Sequence, residues 1–269
     1  LPESKGYALW NEEDGFFYDV LHIDKESIPL RIRSMVGLLP LFAVETIEQV
    51  ILKSMPVFKR RMKWFLNQRA NYASMMTHTE DVEQGPIYLM SILSKERLIS
   101  TLRYLCDENE FLSPYGIRSL SKFHQDNPYY LKIEEKEYWI RYEPGDSEHR
   151  EMAGGNSNWR GPIWLPLNYL IIESLEKYHH YYQDRLKVEF PTGSGVFMNL
   201  GQVAQELSNR LLKLFKKNQQ GKRAIFAENS LFNQDEKWQD LLLFHEFFHG
   251  ETGEGLGASH QTGWTALIA

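Results

Sequence analysis

The run His245-Glu246-Phe247-Phe248-His249-Gly250-Glu251-Thr252-Gly253-Glu254-Gly255-Leu256-Gly257 admits two chemistries that need different backbones. As His-Glu-x-x-His it is a zinc protease signature: two histidines four apart on one helix face ligate a metal, and the glutamate between them activates the bound water. Taken with the glycines that follow and with Gly263-Trp264, Glu246 is instead a carboxylate at the lip of a turn, the setting of a general base. The zinc reading requires a helix running through both histidines. Gly250 follows His249 at once, and Gly253, Gly255 and Gly257 come soon after, so a helix would have to stop at the second ligand. No clear helix-borne third ligand follows, and a pattern with three fixed positions also arises by chance.

Outward from that run, apolar spacing is mostly helical. Residues Val36 to Leu52 form a strongly apolar helix candidate, and Leu167 to Tyr178 form another. Leu200, Val203, Ala204, Leu207, Leu211, Leu214 and Phe215 make a three-four stripe that Asn199 is placed to cap. Shorter helices are expected over Val57 to Asn71 and Lys95 to Asp107. The best strand candidate is Glu137 to Tyr142. His179-His180 lies at a helix end, where a cation meets the negative end of the dipole. The expected fold class is all-α, with polar loops over 6–35, 76–91, 108–130, 143–163 and 249–263; loops of that length in a helical protein usually carry function. No composition break and no exact repeat divides residues 1–269, which read as one domain whose two ends look cut.

The 269 residues are 42% hydrophobic and 25% charged, the make-up of a soluble globular protein. Seven Trp and fourteen Tyr raise the aromatic share to 13%, which suits surfaces that stack on flat or sugar-like ligands. The net charge is −6 and the basic residues are scattered, so nucleic acid or an anionic membrane is not expected as a partner. Cys106 is the single cysteine, which excludes an intrachain disulfide and a thiolate metal cluster and fits a reducing compartment. No apolar run reaches membrane-spanning length, no signal-peptide pattern opens the chain, and no Asn-x-Ser/Thr site occurs. A cytoplasmic location is the expectation.

A second informative segment runs Gly154-Gly155-Asn156-Ser157-Asn158-Trp159-Arg160-Gly161-Pro162-Ile163-Trp164-Leu165-Pro166-Leu167-Asn168-Tyr169. Two indoles and a guanidinium, with glycine and proline fixing the backbone before a helix, make a rigid polar-aromatic wall. Trp offers a flat apolar face to the C–H surface of a sugar, and Arg offers a planar fork of donors to hydroxyls or a carboxylate. The alternative is that Trp159 and Trp164 are core and Arg160 tethers an acidic neighbour.

Together with Trp10-Asn11-Glu12-Glu13-Asp14-Gly15-Phe16-Phe17-Tyr18-Asp19, Arg31-Ile32-Arg33-Ser34-Met35-Val36-Gly37-Leu38-Leu39-Pro40-Leu41, Phe111-Leu112-Ser113-Pro114-Tyr115-Gly116-Ile117-Arg118-Ser119 and the C-terminal Gly-Leu-Gly-Ala-Ser-His-Gln-Thr-Gly-Trp ending at Trp264, this segment resembles glycoside hydrolase family 63. That family contains processing α-glucosidase I and its bacterial relatives; more distantly the order of motifs is similar to trehalases. The resemblance implies an (α/α)6 toroid, of which this chain would be the C-terminal portion and an incomplete barrel. It also implies inverting hydrolysis of α-glucosidic bonds in oligosaccharides or small glucosides, with no cofactor and no metal. Such an enzyme needs an acid to protonate the leaving oxygen and a base to activate water, roughly 6.5–9.5 Å apart. Glu246, set among Phe244, Phe247 and Phe248, matches the base; Glu251 and Glu254 are rivals that read as exposed turn residues. The family's acid is an aspartate upstream of the Trp10 motif, which places it before Leu1, on the rest of the same parent polypeptide. Asp14, Asp19, Arg33, Tyr115, Trp159, Arg160, Trp164, His260, Gln261 and Trp264 are candidate substrate-binding residues. Two other readings stay open: a catalytically silent carbohydrate-binding fragment, and a zinc peptidase using His245, Glu246 and His249.

Overall fold

The computed structural model describes residues 9–24, 26–68, 76–78, 86–146, 159–227, 231–238 and 240–268. Two helices lie side by side at its centre. Leu165–Tyr182 carries Pro166 in its first turn, where a missing N–H costs no helical bond. Leu200–Phe215 is capped as its sequence predicts: Asn199 Oδ1 accepts from the Gln202 N–H at 2.9 Å, and Gln202 Oε1 accepts from the Asn199 N–H at 3.0 Å. Ile171, Leu175 and Tyr178 of the first helix and Leu200, Val203, Ala204 and Leu207 of the second are buried in one core. Burial contributes about 1.5–3 kcal/mol for each such aliphatic side chain. The helix Lys95–Leu105, capped by Ser94 Oγ on the Arg97 N–H, adds Leu98, Leu102 and Leu105 to the same core, with Phe16, Leu38 and Phe111. His179 and His180 stand in the last turn of the long helix, as expected.

A smaller core of Ile163, Leu165, Leu211, Leu214, Phe215, Ile225, Phe226 and Phe248 lies under the C-terminal segment. Asn168 joins the two regions. Its Oδ1 accepts from the Ile117 N–H at 2.7 Å, and its Nδ2 donates to the carbonyls of Ile117 (3.1 Å) and Trp164 (2.9 Å). A buried amide thereby stands in for a strand neighbour and fixes the start of the long helix against the hairpin Leu112–Ser113/Gly116–Ile117.

The all-α expectation holds only in part: helices form the centre, but short antiparallel strands run through the segments that read as loops. Trp10–Asn11 pairs with Phe16–Phe17, Asp19–Ile23 with Glu26–Leu30, and Phe247–Phe248 with Gly255–Leu256. Two-residue strands carry too little sequence to show an alternation, so their pairing is invisible until the chain folds. The expected helix over Val36 to Leu52 is three elements: a 3-10 helix at Met35–Phe42, a strand at Val44–Glu48 and an α-helix at Gln49–Ser54. Pro40 removes a donor, and Val44, Thr46 and Ile47 are β-branched residues that pair with Ile87–Ser91, itself in the expected 76–91 loop. The expected strand near Glu137 is Lys136–Ile140, paired with Tyr129–Ile133. The expected helices over Val57 to Asn71 and Lys95 to Asp107 are Pro56–Gln68 and Lys95–Leu105. Residues 69–71 of the first expectation lie outside the described residues, as do Gly154 to Asn158 of the polar-aromatic segment.

Asn168→Ala leaves an N–H and a carbonyl of Ile117 buried without a partner, and is expected to destabilise the fold by about 2 kcal/mol. Thermal unfolding checks this; a midpoint within one degree of the parent would remove Asn168 from its joining role.

Candidate active site

The site is assembled by backbone bonds between segments distant in sequence. The Ile163 N–H donates to the Phe248 carbonyl at 2.8 Å, and the Phe248 N–H returns a bond to Ile163 at 3.0 Å. On its other side, the Ser119 N–H bonds the Pro162 carbonyl at 3.0 Å. The Gly250 N–H reaches the Pro144 carbonyl at 2.7 Å, and the Glu143 N–H reaches Arg160 at 2.7 Å. Gly161 permits this close winding: at φ +151° a Cβ there would lie 2.5 Å from the Tyr142 ring and 2.8 Å from the Glu143 carbonyl.

On this frame the aromatic residues stack. Trp159 and Trp164 lie face to face, with centroids 4.3 Å apart and an interplanar angle of 7°. Trp164 stacks on Phe247 at 5.0 Å, and Trp264 meets Trp164 edge-on at 6.2 Å. Trp164 and Phe247 are buried, whereas Trp159 (42%) and Trp264 (40%) remain exposed. The wall is core at its base and open at its top.

Glu246 precedes Phe247 and is half-buried. Its Oε2 accepts from the Ala258 N–H at 3.4 Å. Gly257, at φ +68°, leaves room for that carboxylate, since a Cβ there would lie 2.8 Å from Oε2. His260 and Gln261 are tied to the same strand end: the Gln261 N–H bonds the Phe244 carbonyl at 2.8 Å, and His260 pairs with Phe244. Thr265 Oγ1 donates to the His245 carbonyl. The short helix Thr262–Thr265 therefore holds Trp264 beside the wall.

The zinc reading is overturned by backbone geometry. Residues 245–249 form no helix, Glu246 lying at a bend and Phe247–Phe248 in a strand, so the two histidines do not share the helix face that the motif needs. The His245 ring packs on Gly255. His249 Nδ1 accepts from the N–H groups of Glu251 (3.1 Å) and Thr252 (3.2 Å). Burial holds both histidines below their ordinary pKa, while nearby Glu254 opposes the shift. Among the described residues, no group of three or more His, Cys, Asp or Glu side chains is gathered as a metal cage.

Glu251, read from sequence as an exposed turn residue, is half-buried in a polar cluster. The Arg118 guanidinium reaches its Oε1 at 2.9 Å, the Tyr142 hydroxyl donates to the same oxygen, and Lys122 Nζ lies 3.2 Å from Oε2. Burial alone would raise the Glu251 pKa, but the Tyr142 hydrogen bond and the two cations outweigh it and hold the carboxyl below its ordinary range. Arg118 is buried and also donates to the carbonyls of Glu108, Glu110 and Leu112. Sequence reasoning missed Arg118 and Tyr142. The one signal was an arginine between the apolar Ile117 and the segment Ser119-Leu120.

The remaining sequence candidates are distributed elsewhere. Arg160 is buried behind the wall with its Nη1 3.6 Å from Glu143 Oε2. Tyr115 packs against Gly253. Arg33 pairs with Glu110, lies 4.0 Å over the Phe123 ring and interacts with Tyr18, itself bonded to Asp14. Burial pushes Glu110 above its ordinary pKa, against the Ser121 hydroxyl and Arg33. Asp19 is exposed at a hairpin end. Glu246, Trp159, Trp164, His260, Gln261 and Trp264 thus share one neighbourhood; Asp14 and Arg33 form a second.

Residues 4–265 match the mannosylglycerate hydrolase MGH1-like glycoside hydrolase domain. An uncharacterised protein of Saccharomyces cerevisiae is 47% identical over 268 residues, which is 97% of this chain and 24% of that protein. A probable mannosyl-oligosaccharide glucosidase of Schizosaccharomyces pombe is 31% identical over 64% of this chain and 15% of its own length. The mannosyl-oligosaccharide glucosidase of Saccharomyces cerevisiae is 28% identical over 64% of this chain and 14% of its own length. The chain therefore spans about a quarter or less of these relatives. With that match running almost end to end, the chain belongs to the MGH1-like glycoside hydrolase domain family.

Proposed function

We propose that the protein carrying this chain is an inverting glycoside hydrolase that cleaves α-glucosidic bonds in oligosaccharides or small glucosides. The observation that carries this reading is the stack of Trp159 and Trp164 on Phe247, with Trp264 edge-on to it, next to the half-buried Glu246, whose carboxylate shares the space over Gly257 with the Phe247 ring. Glu246 acts as the general base: its carboxylate takes a proton from a water as that water attacks the anomeric carbon. The general acid, which protonates the leaving oxygen, is assigned to a part of the protein outside these residues. Trp159 and Trp264 present apolar faces to the sugar, Trp164 supports them, and His260 and Gln261 hydrogen-bond hydroxyls. The (α/α)6 toroid belongs to the same reading, which draws on the names of the glucosidase relatives. Neither metal nor organic cofactor has a part, because both reacting carboxylates are protein groups.

Glu246→Gln removes the base without changing shape and is expected to lower kcat by about a hundredfold or more, with KM little changed. Proton NMR of released sugar reads the stereochemistry: β-glucose appearing first from an α-glucoside supports inversion, and α-glucose appearing first refutes it.

Arg118→Met removes the donor shared by Glu251, Tyr142 and three carbonyls, and is expected to cost about 3 kcal/mol. The hairpin that carries Glu246 loosens with it, so kcat falls together with the unfolding midpoint. Full activity in a destabilised variant would separate Arg118 from the site.

Acid should loosen the same hairpin. His245 and His249 titrate below their ordinary value in the fold, so the unfolded chain binds more protons and local stability falls as the pH drops below about 6.5. Protonating Nδ1 of His249 also removes the acceptor for the Glu251 and Thr252 amides. Hydrogen exchange corrected for intrinsic rate should accelerate over residues 247–256 between pH 7 and pH 5, and equal protection at both would contradict the assignment.

A further inference from the structure

A cavity of about 660 Å³ opens where the C-terminal end of the helix Leu200–Phe215 meets the turn of the Glu246-bearing hairpin. Neither Glu246 nor Trp159, Trp164 or Trp264 lines it. Among the described residues its walls carry Lys213, Lys216, Lys217, Lys222 and Arg223 against one carboxylate, Glu254. The chain as a whole has a net charge of −6, so a local excess of cations this large is not a sample of the average surface.

Part of the cluster has an ordinary structural explanation. Lys213 and Lys216 sit at a helix C-terminus, where cations are favoured, and Lys217 pairs with Asp240 at 3.1 Å. Arg223 already serves that helix end by donating to the Phe215 carbonyl at 2.8 Å. The dipole does not explain Lys222, which arrives from a separate turn. Asn218 Oδ1 accepts from the Lys222 N–H at 2.9 Å and from the Gln220 N–H at 2.9 Å, and Gly221 takes φ +75° to close that turn. Asn233 holds the next residue through both its backbone groups, at 3.0 and 3.3 Å from the Arg223 nitrogen and oxygen. The turn thereby places Lys222 on the wall of the cavity that Lys213 and Lys216 also line. Among the described residues, Lys213, Lys216 and Lys222 have no ion-pair partner. Holding like charges together on a fixed frame costs free energy that an anion in the cavity would return.

We propose that this cavity is a binding site for a monosaccharide phosphate. Lys213, Lys216 and Lys222 take the phosphate group, a compact dianion suited to ammonium point charges. Tyr115 and Thr252 line the remaining space and offer hydroxyl groups to the sugar. The volume far exceeds that of an inorganic ion and falls within the range of small-ligand pockets.

The test is calorimetric titration of the full-length protein with glucose 6-phosphate, glucose and inorganic phosphate at low ionic strength. The expected result is saturable binding of glucose 6-phosphate, weaker binding of phosphate, and loss of the glucose 6-phosphate signal in added salt. The double variant Lys213→Glu, Lys222→Glu should lose at least tenfold in affinity while Glu246-dependent sugar release is unchanged. Where that variant does not fold, reductive methylation of the parent protein gives the same information: glucose 6-phosphate should protect Lys213 and Lys222 and leave Lys136 reactive. Absence of binding, binding no tighter than that of phosphate, unprotected lysines, or binding abolished by Trp264→Ala would each overturn the proposal; the last would place the ligand at the aromatic wall.

Discussion

A buried guanidinium must be given acceptors on every side, and the C-terminal half of this protein is arranged around that requirement. Arg118 donates to three carbonyls of the 108–112 segment, to the Tyr142 hydroxyl and to Glu251. These acceptors come from different segments, so satisfying one charge fixes their relative positions. An unpaired charge at that depth is far costlier than the ordering of the loops. The hairpin bearing Glu246 is thereby anchored from its turn, through Glu251, to the loop that follows the helix Lys95–Leu105.

The aromatic wall follows the same logic with apolar surface. Phe247 and Trp164 belong to the interior, and Trp159 and Trp264 rest on them. An exposed indole held on a buried one has little freedom left to lose, which is what a platform for a weakly held sugar face requires. Gly161 and Gly257 matter because a side chain at either would collide with Tyr142 or with Glu246 itself. Gly257, one of the glycines that argue against a metal-binding helix, is also the one that makes room for the Glu246 carboxylate.

The same turn faces two environments. Phe247 stacks on Trp164 of the wall, whereas Thr252 and Glu254 line the cationic cavity at the end of the helix Leu200–Phe215. The backbone bond from the His249 N–H to the Glu254 carbonyl, 2.8 Å, spans the short distance between them. A ligand on one side of this hairpin is therefore separated from the base on the other by a single hydrogen-bonded turn.

Amphipathic spacing over sixteen residues was enough to read the helix Leu200–Phe215 and its Asn199 cap, because helical burial and capping are local and repeat along the chain. The same spacing failed over Val36 to Leu52, where residues apolar on every side match a buried strand as well as a helix and only pairing with Ile87–Ser91 decides. Glu246, Trp159, Trp164 and Trp264 were legible as site candidates from residue type and motif order. That Glu251 is a buried anchor and not a turn carboxylate was not legible, since its partners Arg118 and Tyr142 lie more than a hundred residues away in sequence. The sequence by itself determined the main helices, the family and the residues of the wall. The tertiary structure alone decided the short hairpins, the non-helical backbone between His245 and His249, and the gathering of Lys222 with Lys213 around one cavity. Each of these depends on hydrogen bonds and charges between segments whose proximity no local pattern encodes.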